Sequence, residues 1–219
     1  FLADVCELDN EMLPYSKKYF EELLFTGRIN EIVPSDVWYE CRTEYGKDQL
    51  GTELTAHPNQ GYELLQGAAV FSGEIFGGCI DTILDMFDGG RYADSPAMCK
   101  KYQLFPPLKD WQGKILLLES CEEKMSPEKY GKVLSILKNT GIFDVISGML
   151  IGKPMDEVYY EEYKKVLIET VNNPKLPILY NINIGHAAPR CIIPFGVQAT
   201  VDAHKQKIQF DYQNVAGAL

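Results

Sequence analysis

The segment Lys114-Ile115-Leu116-Leu117-Leu118-Glu119, KILLLE, decides how the fold of this chain is interpreted. Four apolar residues follow one another and end in a carboxylate. A fully apolar run of this length is typical of a strand covered on both faces, as in the parallel sheet of an α/β protein. Such proteins place their sites at the carboxyl ends of their strands. The segment therefore predicts a buried sheet and makes Glu119 a candidate site residue. The alternative is a carboxylate that simply reaches solvent where the strand ends.

The elements on either side of KILLLE alternate between strand and helix, which is typical of layered α/β architecture. Residues 33–61 have no steady apolar period and are predicted to form a long loop. The predicted strands are Gln66–Ser72, Lys114–Glu119, Phe143–Ile151, Pro177–Ile184, Gly196–Asp202 and Lys207–Phe210. The predicted helices are Tyr15–Phe25, one through Phe87 that ends at Gly89-Gly90, one from Ser126-Pro127 to Gly141, and Asp156–Val171.

Composition excludes several classes of protein. The chain has 219 residues, of which 46% are hydrophobic, so one large domain, or one domain with a subdomain, has enough apolar surface for a core. A formal net charge of −10 argues against nucleic-acid binding. The longest apolar runs are too short to cross a membrane, and no signal peptide is recognisable. Because the chain begins at Phe1 without Met, we expect it to be a piece of a longer protein.

The six cysteines are scattered and contain no Cys-x-x-Cys motif. This pattern predicts reduced thiols in a cytoplasmic protein, with no disulfide, no metal and no cofactor. The cysteines are Cys6, Cys41, Cys79, Cys99, Cys121 and Cys191.

The second candidate site residue is His186, which follows Gly185 at the end of the strand Pro177–Ile184. Two groups at the ends of strands in one sheet can come within hydrogen-bonding distance. A carboxylate that fixes the tautomer of an imidazole is two thirds of a catalytic triad. Glu119 and His186 together therefore predict a hydrolytic centre, although a lone histidine at such a place is more often structural.

No nucleophile accompanies this pair in an obvious motif. The Gly-x-Ser-x-Gly sequence is absent, and neither Ser72 nor Ser147 lies on a recognisable turn from strand to helix. Ser120 is a poor candidate because adjacent strand residues face opposite sides. Cys191 is near His186 in sequence, which leaves a Cys-His dyad as an alternative.

Two further segments are candidates for substrate binding. The glycine-rich run from Gly73 to Cys79 precedes a helix without the spacing of a nucleotide-binding loop. Its backbone amides, including those of Gly77 and Gly78, can hold a carboxylate or another anion, although glycines that allow close packing explain the run equally well. Trp38 in the long loop can stack on a flat ligand or pack on its own domain.

Five blocks of sequence, taken in order, resemble the LD-carboxypeptidase family of serine peptidases, and in particular its microcin C immunity branch. The resemblance extends from about Leu13 to Asp202, and the Leu-Glu and Gly-His blocks at this separation carry it. The blocks are Gly73-Glu74-Ile75-Phe76-Gly77-Gly78-Cys79-Ile80-Asp81-Thr82-Ile83-Leu84, Gly113–Glu123, Gly141–Asp144, Gly148–Pro154 and Pro177–His186.

The resemblance implies a Ser-Glu-His triad in which Glu119 and His186 are two members. The serine of the family belongs to an N-terminal nucleophile domain, and no matching turn occurs in this sequence. We therefore expect residues 1–65 to be a connecting segment with a substrate-facing loop. Residues 66–219 are expected to be the C-terminal catalytic domain, of a swivelling β/β/α type with a mixed sheet.

The resemblance also implies a homodimer, an active site in a cleft between domains, and a substrate-binding role for Trp38, Gly77, Gly78 and Cys79. Cys79 replaces an asparagine common in the peptidoglycan branch, which favours the immunity branch. The second tryptophan of the substrate-facing loop is absent, and Tyr45 is near its place.

The expected substrate is a small peptidyl- or aminoacyl-nucleotide of the microcin C type. The murein tetrapeptide of peptidoglycan recycling is the first alternative. A non-catalytic module for ligand binding or dimerisation is the second, because this chain has no recognisable nucleophile.

Overall fold

The computed structural model describes residues 11–213. The strands are β1 Glu31–Ile32, β2 Val37–Tyr39, β3 Ala56–Pro58, β4 Glu63–Gln66, β5 Val70–Cys79, β6 Ile115–Glu119, β7 Gly148–Gly152, β8 Ile178–Ile182, β9 Gln198–Asp202 and β10 Lys207–Asp211. The α-helices are α1 Pro14–Thr26, α2 Ile80–Asp88, α3 Ser95–Tyr102, α4 Pro127–Asn139 and α5 Tyr160–Val171. Within the described residues, α-helices connect successive strands only between β5 and β8. Cys6 lies outside the described residues.

Eight of the described strands form one mixed sheet in the order β1-β10-β9-β5-β6-β7-β8-β4. Strands β5 to β8 are parallel to one another, whereas β1, β10, β9 and β4 are antiparallel to their neighbours. The long strand β5 joins the two parts, because Val70–Glu74 pair with β9 and Ile75–Cys79 pair with β6. This arrangement confirms the predicted α/β class and mixed sheet.

KILLLE is buried on both faces, as its composition predicts. Leu116 and Leu118 face a core that includes Leu134 of α4 and Leu167 of α5. Ile115 and Leu117 face a second core formed with α1, β9, β10 and neighbouring segments. Successive residues of one strand therefore contact two different layers, which explains why the strand has no polar alternation.

The ends of two helices follow the capping rules. At the start of α4, the Ser126 hydroxyl accepts a hydrogen bond from the Lys129 amide at 3.3 Å, and Pro127 occupies the first turn. At the end of α1, Gly27 adopts a left-handed conformation with a φ of 73°. Both boundaries are close to the predicted ones.

The glycine-rich segment Gly73–Cys79 is part of strand β5, which extends beyond the predicted end of the strand at Ser72. The predicted strand Gln66–Ser72 is divided by a turn into the end of β4 and the start of β5. Gly77 has a φ of 150°, and a Cβ atom there would lie 1.9 Å from the Leu117 carbonyl oxygen. The glycine thus permits close contact between β5 and β6, which is a common reason for glycine inside a strand.

Other boundaries also differ from the sequence prediction. The 33–61 segment contains the β2–β3 pair and a short 3₁₀ helix and is not a loop throughout. Strand β7 begins at Gly148, because Ile142–Asp144 form a 3₁₀ turn. Helix α5 begins at Tyr160, since Asp156 has a φ of 55° and cannot cap it. Helix α3 was not predicted.

The connecting segment predicted over residues 1–65 contributes to the main sheet. Its strand β1 pairs with β10, and β4, which crosses the predicted boundary, pairs with β8. The division at position 65 stays a prediction. Within residues 11–213, no helix is both long and apolar enough to span a bilayer.

Candidate active site

Glu119 and His186 lie together at the carboxyl edge of the parallel strands. Glu119 is the last residue of β6 and is 8% exposed, while His186 follows β8. The Nδ1 atom of His186 is 2.8 Å from Glu119 Oε2, and the His186 backbone amide donates to the same oxygen at 3.2 Å. The structure therefore joins the two residues that the sequence predicts as partners.

Gly185 makes room for this contact. Its φ is 77°, and a Cβ atom at this position would lie 2.1 Å from Glu119 Oε2. Any side chain at position 185 would therefore collide with the carboxylate and would also strain the backbone. The Gly-His pair after β8 therefore has a structural reason. Glycine at position 185 lets both the backbone amide and the imidazole of His186 contact the buried Glu119 carboxylate.

The electrostatic surroundings raise the pKa of His186 above its usual value. The hydrogen bond to Glu119 is the largest cause, burial of the ring opposes it, and the charges of Glu119 and Glu122 add to the increase. The His186 side chain is 40% exposed. Its Nε2 atom lies 3.4 Å from Glu122 Oε2, and the Glu122 side chain is 65% exposed. The second ring nitrogen therefore faces an accessible region.

Cys79 completes the cluster. It is the last residue of β5, directly opposite Glu119 in the parallel register. Its Sγ atom lies within 4.8 Å of one ligand atom each of Glu119 and His186. A Cβ atom on the neighbouring Gly78 would meet nothing within 4 Å, so space is open beside this residue. Cys79 and Gly78 thus lie at the same edge as the Glu119–His186 pair, and Gly77 packs against β6.

Trp38 lies in β2 and is only 8% exposed. Its ring stacks on His57 with centroids 4.4 Å apart, and the Lys153 ammonium is 5.1 Å from the Trp38 ring centroid. The next residue, Tyr39, donates its backbone amide to the Ala188 carbonyl at 2.9 Å, which fixes β2 beside the segment that follows His186. In this structure Trp38 packs on its own domain, and its role as a stacking platform stays a prediction.

Lys153 is a residue of this edge that the sequence analysis missed. It directly follows β7 and is 1% exposed. Its ammonium donates to Glu157, to Asn59 Oδ1 at 3.3 Å and to Asn181 Oδ1 at 3.2 Å. Burial lowers the pKa of Lys153, although the contact with Glu157 opposes this effect. The signal available in the sequence was a lysine between Gly152 and Pro154 directly after an apolar strand.

The nucleophile candidates weighed from the sequence have other partners. Ser72 Oγ lies 3.1 Å from Thr200 Oγ1, and Ser147 Oγ donates to the Lys114 carbonyl at 3.2 Å. Ser120 is buried. Cys191 lies in the second core, where burial raises the pKa of its thiol to about 12. A thiol with this pKa is protonated at neutral pH, which disfavours a Cys191–His186 dyad.

Comparisons with known proteins identify the family and the fold. Residues 72–201 match the family model described as the LD-carboxypeptidase C-terminal domain. A Treponema pallidum protein that carries a carboxypeptidase name is 25% identical over 199 residues, which cover 90% of this chain and 52% of that protein. This chain therefore spans about half the length of that curated relative.

The solved structures give the same family. A MccF-like protein from Streptococcus pneumoniae, crystallised in complex with AMP, is 57% identical with a TM-score of 0.95, and the match covers 98% of this chain and 62% of that one. The microcin C7 self immunity protein MccF, in complex with aspartyl sulfamoyl adenosine, has a TM-score of 0.68 at 18% identity, with 91% and 56% covered, and shares the fold. A site made of strand-end Glu and His residues and the matching domain lead to one conclusion: this chain belongs to the LD-carboxypeptidase family, a family of serine peptidases, and has an MccF-like fold.

Proposed function

We propose that Glu119 and His186 are the orienting acid and the general base of a serine hydrolase that cleaves an amide bond. The observation that carries this proposal is the 2.8 Å contact between His186 Nδ1 and the buried Glu119 carboxylate. This contact favours the tautomer with its proton on Nδ1, so that Nε2 is free to accept a proton. Family membership supports hydrolysis as the reaction class.

In the proposed mechanism, His186 Nε2 removes the proton of a serine hydroxyl as the oxygen attacks the substrate carbonyl. The same nitrogen then returns the proton to the leaving amine, and in the second half of the reaction it removes a proton from the water molecule that hydrolyses the acyl-serine and returns it to the serine oxygen. Glu119 holds the ring in place and stabilises the imidazolium that forms in between. The Glu122 carboxylate lies 3.4 Å from Nε2 and is largely exposed. It has to move away from Nε2 so that the serine hydroxyl can take its place.

The nucleophilic serine is proposed to come from a segment outside these 219 residues. Two observations support this. Ser72, Ser147 and Cys191 have other partners or a buried position, and the match covers only 52% of the curated relative and 62% of the crystallised MccF-like protein. The 219-residue chain is accordingly expected to be inactive alone.

The proposed substrate is an aminoacyl- or peptidyl-nucleotide of the microcin C type, so that the protein serves self-immunity or detoxification. The AMP complex of the 57% identical protein supports a nucleotide ligand. Trp38, Gly77, Gly78 and Cys79 are proposed to line the substrate site, with Gly78 beside open space. The enzyme is further proposed to be a cytoplasmic homodimer, and the five free cysteines among the described residues fit a reducing compartment.

The second candidate is a murein tetrapeptide LD-carboxypeptidase. The description of the matching family model favours it, since that description names this activity. Both candidates use the same Glu119–His186 chemistry and differ in the group beyond the scissile amide.

The test is hydrolysis by the product of the complete gene, followed by mass spectrometry. Aspartyl-sulfamoyl adenosine and a murein tetrapeptide are supplied in parallel, and the 219-residue chain is assayed beside them. We expect cleavage of the adenosine compound, and a loss of about 10⁴-fold or more in the His186→Ala variant. The matched control is His204→Ala, which changes an exposed histidine in the β9–β10 turn.

Each remaining outcome has a distinct meaning. Cleavage of the tetrapeptide alone would move the protein to peptidoglycan recycling. Unchanged turnover in His186→Ala would refute the proposed base. Cleavage by the 219-residue chain would show that the nucleophile lies within it.

A further inference from the structure

We propose that Cys79, Asp81 and Cys121 form a binding site for a thiophilic divalent cation such as Zn²⁺. One ligand atom from each residue lies within 4.8 Å of the other two. Cys79 Sγ is 3.8 Å from Asp81 Oδ2. Two sulfurs and a carboxylate are a donor set that Zn²⁺ prefers, and hard cations such as Mg²⁺ do not.

The topology of the sheet brings these residues together. Cys79 ends β5, Asp81 lies in the first turn of α2, and Cys121 follows the end of β6 by two positions. Because β5 and β6 are parallel with Cys79 opposite Glu119, both thiols reach the same edge. The cysteines are far apart in sequence and form no motif, so only the fold reveals the cluster.

Asp81 supplies an independent observation. Its Oδ2 atom accepts a hydrogen bond from the Cys121 amide at 3.2 Å. Its Oδ1 atom is buried and has no hydrogen-bond partner among the described residues. Buried polar atoms nearly always have a hydrogen-bond partner. A buried oxygen without one is therefore a candidate ligand for a water molecule or an ion. A cation held by Asp81 would satisfy this oxygen.

Asp81 is the one proposed ligand that borders a surface cavity. Asp81 lines a cavity of about 370 Å³ together with Asp85, Asp88 and Glu123. Arg91, which pairs with Glu123 at 2.9 Å, and Lys129 also line it, so four acidic side chains face two basic ones. An acidic cavity raises the local concentration of cations.

The geometry requires only a small contraction. Two thiolates on a tetrahedral Zn²⁺, each at about 2.3 Å, lie about 3.8 Å apart. The present upper limit of 4.8 Å therefore has to shorten by about 1 Å or less. The fourth position is open to a water molecule.

Binding has to displace protons. Burial raises the pKa of Cys79, and raises that of Cys121 to about 12. Both thiols are protonated at neutral pH, so uptake of the cation by two thiols and one carboxylate releases two protons to solvent. The apparent affinity is therefore expected to increase with pH.

Cys79 also belongs to a second cluster, with Glu119 and His186. That cluster is the weaker site, because Glu119 and His186 already bond to each other at 2.8 Å and a cation would have to separate them. A cation on Cys79, Asp81 and Cys121 fixes the Cys79 thiolate beside His186. We therefore expect the proposed hydrolase to be inhibited by Zn²⁺ whatever its substrate.

The experiment measures binding and does not depend on turnover. Cd²⁺ and then Zn²⁺ are titrated into the reduced, metal-free product of the complete gene. The ultraviolet thiolate-to-cadmium charge-transfer band reports Cd²⁺, and competition with a chromophoric chelator reports Zn²⁺. We expect one equivalent bound through two thiolates, and losses in affinity of about 100-fold in Cys121→Ser and about 10-fold in Asp81→Asn.

Cys99→Ser is the matched control, since Cys99 is a buried cysteine outside both clusters. It is expected to bind as the unmodified protein does. Thermal unfolding without metal identifies any variant that has lost its fold, and Asp81→Asn then provides the test without removing a thiol. Absence of a charge-transfer band, or equal affinity in Cys121→Ser, would overturn the proposal. Loss of binding in His186→Ala but not in Cys121→Ser would assign the cation to the other cluster.

Discussion

Two charged groups at the same edge of the sheet differ in how completely they are enclosed. Glu119 is paired with a histidine that is 40% exposed and keeps one ring nitrogen toward an accessible region. Lys153, after the adjacent strand, directs its ammonium to three oxygen acceptors and lies near the rings of Trp38 and Tyr160. In the Glu119–His186 pair, the Nε2 atom of His186 stays available for proton transfer. The Lys153 ammonium instead donates its hydrogen bonds to residues of neighbouring segments and holds them together.

The largest effect on stability is expected from Lys153→Met. The change removes the ammonium that donates to buried Asn181 Oδ1 and pairs with Glu157, whereas Asn59 Oδ1 keeps a donor in Asn181 Nδ2 at 3.1 Å. We expect the free energy of unfolding to fall by about 3 kcal/mol, because buried polar groups lose their partner. Urea unfolding followed by circular dichroism measures the change.

Two variants serve as the comparison in that assay. Lys165→Met alters a side chain that is 75% exposed and is expected to stay within about 0.5 kcal/mol. His186→Ala is expected to cost less than about 1 kcal/mol while abolishing activity. If Lys153→Met lowered the free energy of unfolding no more than Lys165→Met does, the buried lysine would not stabilise the fold.

A smaller effect is expected from Gly185→Ala. The added methyl group would lie 2.1 Å from Glu119 Oε2, in a backbone conformation with a φ of 77°. We expect a loss of about 2 kcal/mol and a fall in activity of at least about 10-fold, because the carboxylate has to move away from His186. Unfolding and kcat/KM are measured on the same preparation.

Gly196→Ala separates backbone strain from this collision. Gly196 has a φ of 71°, and a Cβ atom there would meet nothing within 4 Å. It is expected to lose only about 1 kcal/mol, with unchanged activity. Equal losses of activity at the two positions would show that contact with Glu119 is unimportant.

The smallest effect is expected from Glu122→Gln. Activity requires neutral His186, so kcat/KM rises as pH increases through the pKa of His186, which lies above the usual 6.5. Removing the Glu122 charge lowers this pKa, and the acidic limb should move to lower pH by about 0.2–0.5 units. A pH profile of kcat/KM measures the shift.

Glu123→Gln is the control for this profile, because Glu123 pairs with Arg91. Its profile is expected to match that of the unmodified protein. A limb that moved to higher pH in Glu122→Gln would contradict the assigned direction of the Glu122 charge.

Local patterns predicted the parts of the fold that depend on burial and capping. The apolar run in KILLLE predicted a strand covered on both faces, and Ser126-Pro127 predicted the start of α4. Glu119 and His186 were predicted as partners because both end strands of one sheet, and the structure places them in contact. Their catalytic roles stay predictions.

Local sequence patterns do not predict the parts of the fold where tertiary contacts override local preference. The strand predicted to end at Ser72 continues to Cys79, and Gly77 within it allows the close approach of β6 that was one of the two explanations for the glycine run. Asp156 looked like a helix cap and instead adopts a positive φ while it pairs with Lys124. Lys153 and the Cys79–Cys121 approach depend on which strands are neighbours, and no local pattern contains that information.

The pairing of β5 with β9, and of β1 with β10, has a consequence for synthesis of the chain. Val70 pairs with Asp202, and Glu31 pairs with Gln209, so this sheet cannot be completed until β9 and β10 have left the ribosome. Contacts between distant parts of a sequence slow folding. Until β9 and β10 arrive, the edge of β5 remains unpaired, and the nascent protein is expected to depend on chaperones that shield it from association with other chains.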